Sequence, residues 1–176
     1  MNVSLSCGLL LVLLAGVSAA VADTGVNLAP VAKPSSSHVS GDTSLGALND
    51  GHAPKTSHVR GKGSYGNWPK RQTQWVQYDW TVPVRTRKID VFWWDDNRGV
   101  RLPKASRLLY WDGKRFVPVS KPAGLGVAKD KFNTTTFDEV RTTKLRLEIV
   151  ASGNSSTGIL EWKVYNQGAL PDFPPR

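Results

Sequence analysis

Alternation with a period of two runs through most of this sequence and confines it to β structure. "WVQYDW" places Val76, Tyr78 and Trp80 on one face and Trp75, Gln77 and Asp79 on the other. "KIDVFWW" sets Ile89, Val91 and Trp93 against Lys88, Asp90, Phe92 and Trp94. "KLRLEIV" sets Leu145, Leu147 and Ile149 against Arg146, Glu148 and Val150, and "ILEWKVY" sets Leu160, Trp162 and Val164 against Glu161, Lys163 and Tyr165. Successive Cβ atoms of a strand point to opposite sides, so this pattern describes strands with one buried face. "SRLLYW", "RFVPVS" and "FNTTTF" are shorter candidates, and "WDGKR" at 111–115 reads as a turn. No stretch sustains a helical period. Strands without alternating helices pair antiparallel, so the expected fold is an all-β antiparallel sandwich or jelly roll.

The ends of the chain read differently. Residues 1–22 carry no charged side chain, contain "GLLLVLLAGV" and finish in "SAAVA". This is the pattern of a secretory signal peptide with an A-x-A-like site at Ala20-Val21-Ala22. As an uncleaved anchor its apolar run is short for a bilayer span. The expected organisation is a signal peptide over 1–22, a Pro-, Ser- and Gly-rich lead-in loop or linker over 23–42, the sandwich over 43–166, and an extended proline-rich tail over 167–176. The only cysteine, Cys7, falls in the first segment. A secreted, extracellular or periplasmic chain without cysteine relies on its core, on a bound ion, or on both.

The formal net charge is +9 and is uneven. Gly51 to Tyr78 contains no Asp or Glu but carries Lys55, Arg60, Lys62, Lys70 and Arg71. Such a region either attracts acidic polysaccharide, phospholipid headgroups or nucleic acid, or serves only to keep an exported surface soluble.

"FWWDDNRGVRLP", Phe92 to Pro103, concentrates the chemistry. If no bulge interrupts the strand, Trp93 faces the core with Ile89 and Val91 and Trp94 faces outward. Acid–base hydrolysis needs two carboxyls about 5–10 Å apart on either side of the scissile bond. Asp95 and Asp96 are sequence neighbours whose side chains diverge, with Arg98 and Arg101 close enough to hold both ionised, so this is not an acid–base pair. Trp94, Asp96, Asn97 and Arg98 suit sugar recognition: an aromatic face against C–H groups, rimmed by bidentate polar groups. The alternative is a loop locked by its own Asp–Arg pairs. In "GSYGNWPKRQTQW", Tyr65, Trp68 and Arg71 either form a contact surface or, for Trp68, plug the end of the sandwich; Asn154 in "SGNSSTG" is a further contact. No zinc spacing, Gly-x-Ser-x-Gly or phosphate loop is present.

"LGALNDG", "WVQYDW", "IDVFWWDDNRGVRLPKASRLLYWDG", "DKFNTTTFDEVRTTKLRLEI" and "GILEWKVY" come in an order that resembles a discoidin domain, the coagulation factor V/VIII type C or galactose-binding-like β-sandwich. The resemblance runs from about Asn27 to Tyr165 and is closest to the C-terminal module of bacterial β-L-arabinofuranosidase-type glycoside hydrolases. It implies a structural Ca²⁺ tying the first loop to the last strand. The ligands would be the carboxylates of Asp50 and Glu161, the carbonyls of Ala47, His52 and Leu160, and an oxygen of Ser57 or Thr56. Such a set supplies the hard oxygen donors that calcium requires. It implies a secreted, non-catalytic module binding plant or microbial polysaccharide, and no nucleic acid; acting as the accessory module of a separately encoded glycoside hydrolase is one alternative. The other is a discoidin domain that binds a phospholipid surface or a protein.

Overall fold

A computed structural model describes residues 25–52, 54–59 and 63–174. The expected signal peptide with Cys7, and Arg60 and Lys62 of the basic stretch, lie outside the described residues. Two short 3₁₀ turns, Ala29–Val31 and Leu45–Leu48, accompany seven strands: β1 Lys33–Ser36, β2 Tyr65–Gly66, β3 Gln74–Trp94, β4 Ala105–Trp111, β5 Phe116–Pro118, β6 Phe132–Val150 and β7 Gly158–Asn166. Every pairing between them is antiparallel.

Sequence patterns that read as separate strands are joined. "WVQYDW" and "KIDVFWW" are two halves of β3, and "FNTTTF" and "KLRLEIV" are two halves of β6. The first half of β3 pairs with β1 and with the second half of β6, which continues to β4 and β5. The second half of β3 pairs with the first half of β6 and with β7, which carries β2 at its edge. Two long strands thus pass from one layer of a sandwich to the other. Their register breaks at the corner, between Asp79 and Val84 and between Thr86 and Lys88. Pro83 falls in that unpaired stretch, where its missing N–H removes no ladder bond.

The inward residues are those the alternation selects. Val76, Tyr78, Ile89, Val91 and Trp93 of β3, Leu145, Leu147 and Ile149 of β6, Leu108 of β4, and Trp162 and Val164 of β7 form one buried cluster. Tyr78 and Trp162 stack with centroids 4.3 Å apart. Each such side chain contributes about 1.5–3 kcal/mol by leaving water. Residues 25–42, expected as a lead-in loop, are partly structural: β1 lies among them, and Leu28, Ala29 and Ala32 pack into the core. The tail is tied down at its start, where Gln167 N–H donates to the Arg85 carbonyl (2.8 Å), and Phe173 packs against the core.

Candidate functional site

Trp94 does face away from Trp93, but it does not meet solvent. It is 4 % exposed and joins Phe92, Val100 and Leu160 in a second small cluster, with Val59 and Phe132 packed against it. Its indole lies in a slot made by two glycines. A Cβ added at Gly66 would fall 2.5 Å from Trp94 Cζ3, and one added at Gly158 would fall 2.5 Å from Trp94 Cε3. The expectation of an outward stacking platform at Trp94 is therefore corrected: loops cover the outer face of the sheet here, and only the margin of the ring contributes to a surface cleft.

That cleft, about 260 Å³, is lined by Ser40, Asp42, Trp68, Trp94, Asp96, Gly99 and Val100. Trp68 supplies its exposed aromatic surface, at 44 % exposure. The carbonyl of Trp68 accepts bonds from Ser40 Oγ (3.0 Å) and His38 Nε2 (3.1 Å). Its ring packs on Gly99, where a Cβ would come within 3.0 Å of Cε3 and Cζ3. The Arg71 guanidinium lies 5.8 Å from the ring centroid, at the rim.

The two neighbouring aspartates part ways. Asp96 Oδ1 accepts from the N–H groups of Arg98 (2.8 Å) and Val100 (3.0 Å), which closes the turn and sets the carboxyl at the cleft wall. Asp95 is buried and accepts from Asn97 N–H (2.9 Å), with Arg101 at 3.4 Å and Lys129 Nζ at 3.2 Å. Burial pushes the Asp95 carboxyl up, but the bonds from Asn97, Lys129 and Leu102 and the Lys129 charge outweigh it and hold the group below the usual carboxylate value. Asp95 is thus the lock and Asp96 the displayed group. Arg98 was expected to share in that lock. Instead it is exposed, and Lys129, 34 residues away in sequence from Asp95, takes its place.

Three further expected contacts change role. Tyr65 is fully buried, with its hydroxyl on the His38 carbonyl (2.9 Å), so it is core and not a contact. Asn97 is an exposed residue at φ 59°, but its Oδ1 accepts from Lys129 (2.9 Å) and Arg101 (3.2 Å), which commits it to the lock. Asn154 is exposed in the 152–157 loop and does not line the cleft. That loop is nonetheless stitched to the site, because Ser156 N–H bonds Gly99 O (2.8 Å) and Ser156 Oγ bonds Lys70 O (2.7 Å). Ser40, Asp42 and Gly99 belong to the cleft and were not expected. No local signal marks the first two, since their place depends on a loop that folds back across Trp68.

Asp50 and Glu161 do meet. Glu161 is 0 % exposed, and its Oε2 accepts from Gly51 N–H (3.2 Å). Its Oε1 is buried and accepts no hydrogen bond from a described residue. Burial first, and the Asp50 charge second, push its carboxyl up to about 7. The same two carboxylates, after burial, raise the Tyr78 hydroxyl well above its usual value. Two adjacent carboxyls with one orphaned buried oxygen require either a shared proton or a cation, so the donor set fits a hard cation such as Ca²⁺. Among the described residues no group of three or more His, Cys, Asp or Glu gathers, so backbone oxygens would complete the shell. Leu160 is left without a Cα partner on β3 by a register shift. Ser57 is otherwise engaged: its Oγ accepts from Asp130 N–H (2.8 Å) and its carbonyl from Asp95 N–H (2.8 Å).

No protein-family model matches the chain, and no curated protein matches it. Solved structures do. A chain of the β-galactosidase BgaA of Streptococcus pneumoniae superposes with TM-score 0.72 at 17 % identity, covering 81 % of this chain and 99 % of that one. The Clostridium perfringens module CpGH89CBM32-5, solved with GalNAc-β-1,3-galactose, gives TM-score 0.63 at 12 % identity, covering 80 % and 99 %. The family 32 carbohydrate-binding module of C. perfringens NanJ, solved with galactose, gives 0.62 at 11 %, covering 78 % and 96 %. Together with the strand pairing, these place the chain in the antiparallel, galactose-binding-like β-sandwich fold.

Proposed function

We propose that this chain is an exported, non-catalytic carbohydrate-binding module that holds polysaccharide in the cleft between Trp68 and Asp96. The observation that carries the reading is the pairing of an exposed indole with fixed polar groups at the end of this sandwich. Trp68 would stack on the C–H face of a sugar, and Asp42, Asp96 and Ser40 would take its hydroxyls, with Arg71 and Arg98 at the rim. Pre-set loops favour this role, because a site already locked by Asp95, Arg101 and Lys129 loses little conformational freedom on binding.

A non-catalytic role is supported by where the proton-holding carboxyl lies. A general acid for glycoside hydrolysis has a raised pKa and faces the scissile bond. The described carboxyl that is raised, Glu161, is fully buried and does not line the cleft. A calcium ion between Asp50 and Glu161 would fasten the first loop to β7 and leave the chemistry of the cleft unchanged. Residues 1–22 would direct export to the periplasm or outside the cell. One shallow site binds weakly, so retention would draw on multivalency or on a separately encoded glycoside hydrolase acting on the same polymer.

Trp68 beside Lys70 and Arg71 also has the composition of a membrane-interface anchor, which favours an anionic lipid surface as the second reading. Affinity electrophoresis in arabinan, arabinogalactan, galactan and pectin separates the two. Retardation by a neutral polymer that Trp68→Ala abolishes is expected. Unchanged migration in every polymer, with binding only to anionic vesicles, would sink the carbohydrate reading.

A further inference from the structure

The cleft uses little of the molecule's positive charge: cations stand only at its rim, and its lining carries Asp42 and Asp96 but no Arg or Lys. The cations gather elsewhere. At the far end of the second half of β3, seven residues or roughly 23 Å of strand from Trp94, lies an open groove of about 350 Å³. It is lined by Arg87, Lys88, Lys121, Thr136, Phe137 and Asp138.

The backbone builds this groove. β3 breaks register against both neighbours between Thr86 and Lys88. Against β7 the extra residue is Arg87; against β6 the three residues 137–139 bow out opposite it. A bulge of this kind re-aims a side chain and opens the sheet beside it. Lys121, at φ 49°, is held over the gap from both sides. Asp138 N–H bonds Ser120 O (3.0 Å), and Ala123 and Thr136 exchange two backbone bonds (2.8 and 2.9 Å).

Charge in the groove is only partly balanced. Lys88 Nζ sits 4.6 Å from the Tyr165 ring centroid, and Lys121 Nζ lies 3.3 Å from Asp138 in a pair open to solvent, which is a weak contact. Arg87 is exposed and makes no ion pair with a described residue. Just beyond, Arg85 and Arg141 oppose each other directly across β3 and β6, an arrangement that destabilises a sheet. Glu139 engages only Arg85.

We propose that this groove is a second site, which binds the carboxylate or sulfate groups of an acidic polysaccharide. A lipid surface is disfavoured because the groove has nothing to insert into it: Phe137 is 6 % exposed, and the exposed large apolar side chains Val26, Val31, Trp68, Val150 and Leu170 lie outside it. The proposal shares only the sugar-polymer class with the cleft reading, and the two sites fail independently.

The test is affinity electrophoresis of the full protein in polygalacturonate, in heparin as a sulfated polymer, and in neutral galactan, each at low and high salt. Wild type is compared with Arg87→Gln/Lys121→Gln, with a control of equal charge, Lys104→Gln/Lys131→Gln, and with Trp68→Ala. Expected is a roughly tenfold loss of acidic-polymer affinity in Arg87→Gln/Lys121→Gln alone, with neutral-polymer retardation unchanged, while Trp68→Ala loses the neutral polymer first. Polygalacturonate against heparin tells carboxylate from sulfate. Equal losses in the groove and control doubles would assign acidic binding to overall charge and overturn the site, as would no acidic-polymer binding by wild type, or preference for anionic vesicles over both polymers.

Discussion

Glu161→Gln removes a buried charge while keeping the acceptor for Gly51 N–H, so it isolates the electrostatics of the Asp50–Glu161 pair. Without a cation, the Glu161 carboxyl is pushed from its ordinary 4.5 up to about 7 by burial and by Asp50. The folded chain therefore holds this proton more tightly than the unfolded chain. Its contribution to stability is complete below pH 4.5 and is lost as pH rises through about 7. At pH 7 the loss is about 3 kcal/mol, roughly 6–12 °C in Tm for a domain of this size. Asp95, held low, stays ionised in both states across this window and adds no slope. In chelator, Glu161→Gln is expected to melt several degrees above wild type at pH 7 and to converge with it toward pH 4.5. With calcium the order reverses. Wild type gains about 4.1 kcal/mol at a thousandfold excess over Kd, more than the deficit of about 3 kcal/mol, and the variant, one carboxylate short, gains little. Differential scanning calorimetry against pH, with chelator and with calcium, reads both effects. A wild-type Tm that is flat from pH 5 to 8 in chelator, parallel to the variant, would refute the reasoning, because the buried carboxyl would then not be holding a proton.

The two tryptophans of the cleft should behave oppositely. Trp94→Ala is expected to cost about 3–5 kcal/mol as a core truncation, whereas Trp68→Ala should leave stability within about 0.5 kcal/mol yet abolish sugar binding; chemical denaturation beside affinity electrophoresis checks both. Gly158→Ala drives a methyl to 2.5 Å from Trp94 and 2.6 Å from the Tyr65 carbonyl, so a loss of about 1–3 kcal/mol is expected, and an unchanged denaturation midpoint would contradict the slot. Asp95 stabilises above its ordinary carboxylate value and loses that contribution as pH falls through its lowered folded value. Asp95→Asn should accordingly show a shallower decline of Tm below about pH 4 than wild type, and equal slopes would remove Asp95 from the acid limb.

Alternation told most of the fold because β3, β6 and β7 bury one face against the same core. Val76, Tyr78, Ile89, Val91 and Trp93 are inward as their spacing demands. What alternation does not encode is what lies over the other face. Trp94 has outward parity, yet Val59 and Val100 come from loops to cover it, and nothing local to residues 88–94 announces them. Asp95 shows the same limit. Its partner Arg101 was visible six residues away, but Lys129 is brought to it only by the path of the chain before β6. The groove at Arg87 was not legible either, since Lys121 lies 34 residues along the chain and the bulge that opens the space leaves no mark in the pattern. The basic stretch legible in the sequence is 51–78, where cations occur without any Asp or Glu between them, and not the β3–β6 corner, where Arg87 and Lys121 come together only in space.

A single irregularity in β7 accounts for the remaining misreading. Simple alternation puts Leu160 with Trp162 and Val164 in the main core and leaves Ile159 outside. Trp162 and Val164 are inward, but between Phe92 and Trp93 the register against β7 slips, so that Phe92 faces Glu161 and Trp93 faces Ile159. Leu160 is the residue passed over. Ile159 takes the inward place, and Leu160 turns to the second cluster with Phe92 and Trp94. Glu161, outward by plain alternation with Trp162, keeps its side; the slip brings Leu160 over beside it, and the loop carrying Asp50 and Gly51 lies next to its carboxyl, which is sealed from water. A carboxylate at a regular outward position would be solvated and would need no partner. Covered by the loop, Glu161 needs a proton or a cation. The bulge that defeats the pattern thus explains Ile159 and Leu160, while the ion-site chemistry at Glu161 comes from the loop that brings Asp50 and Gly51 over the outer face.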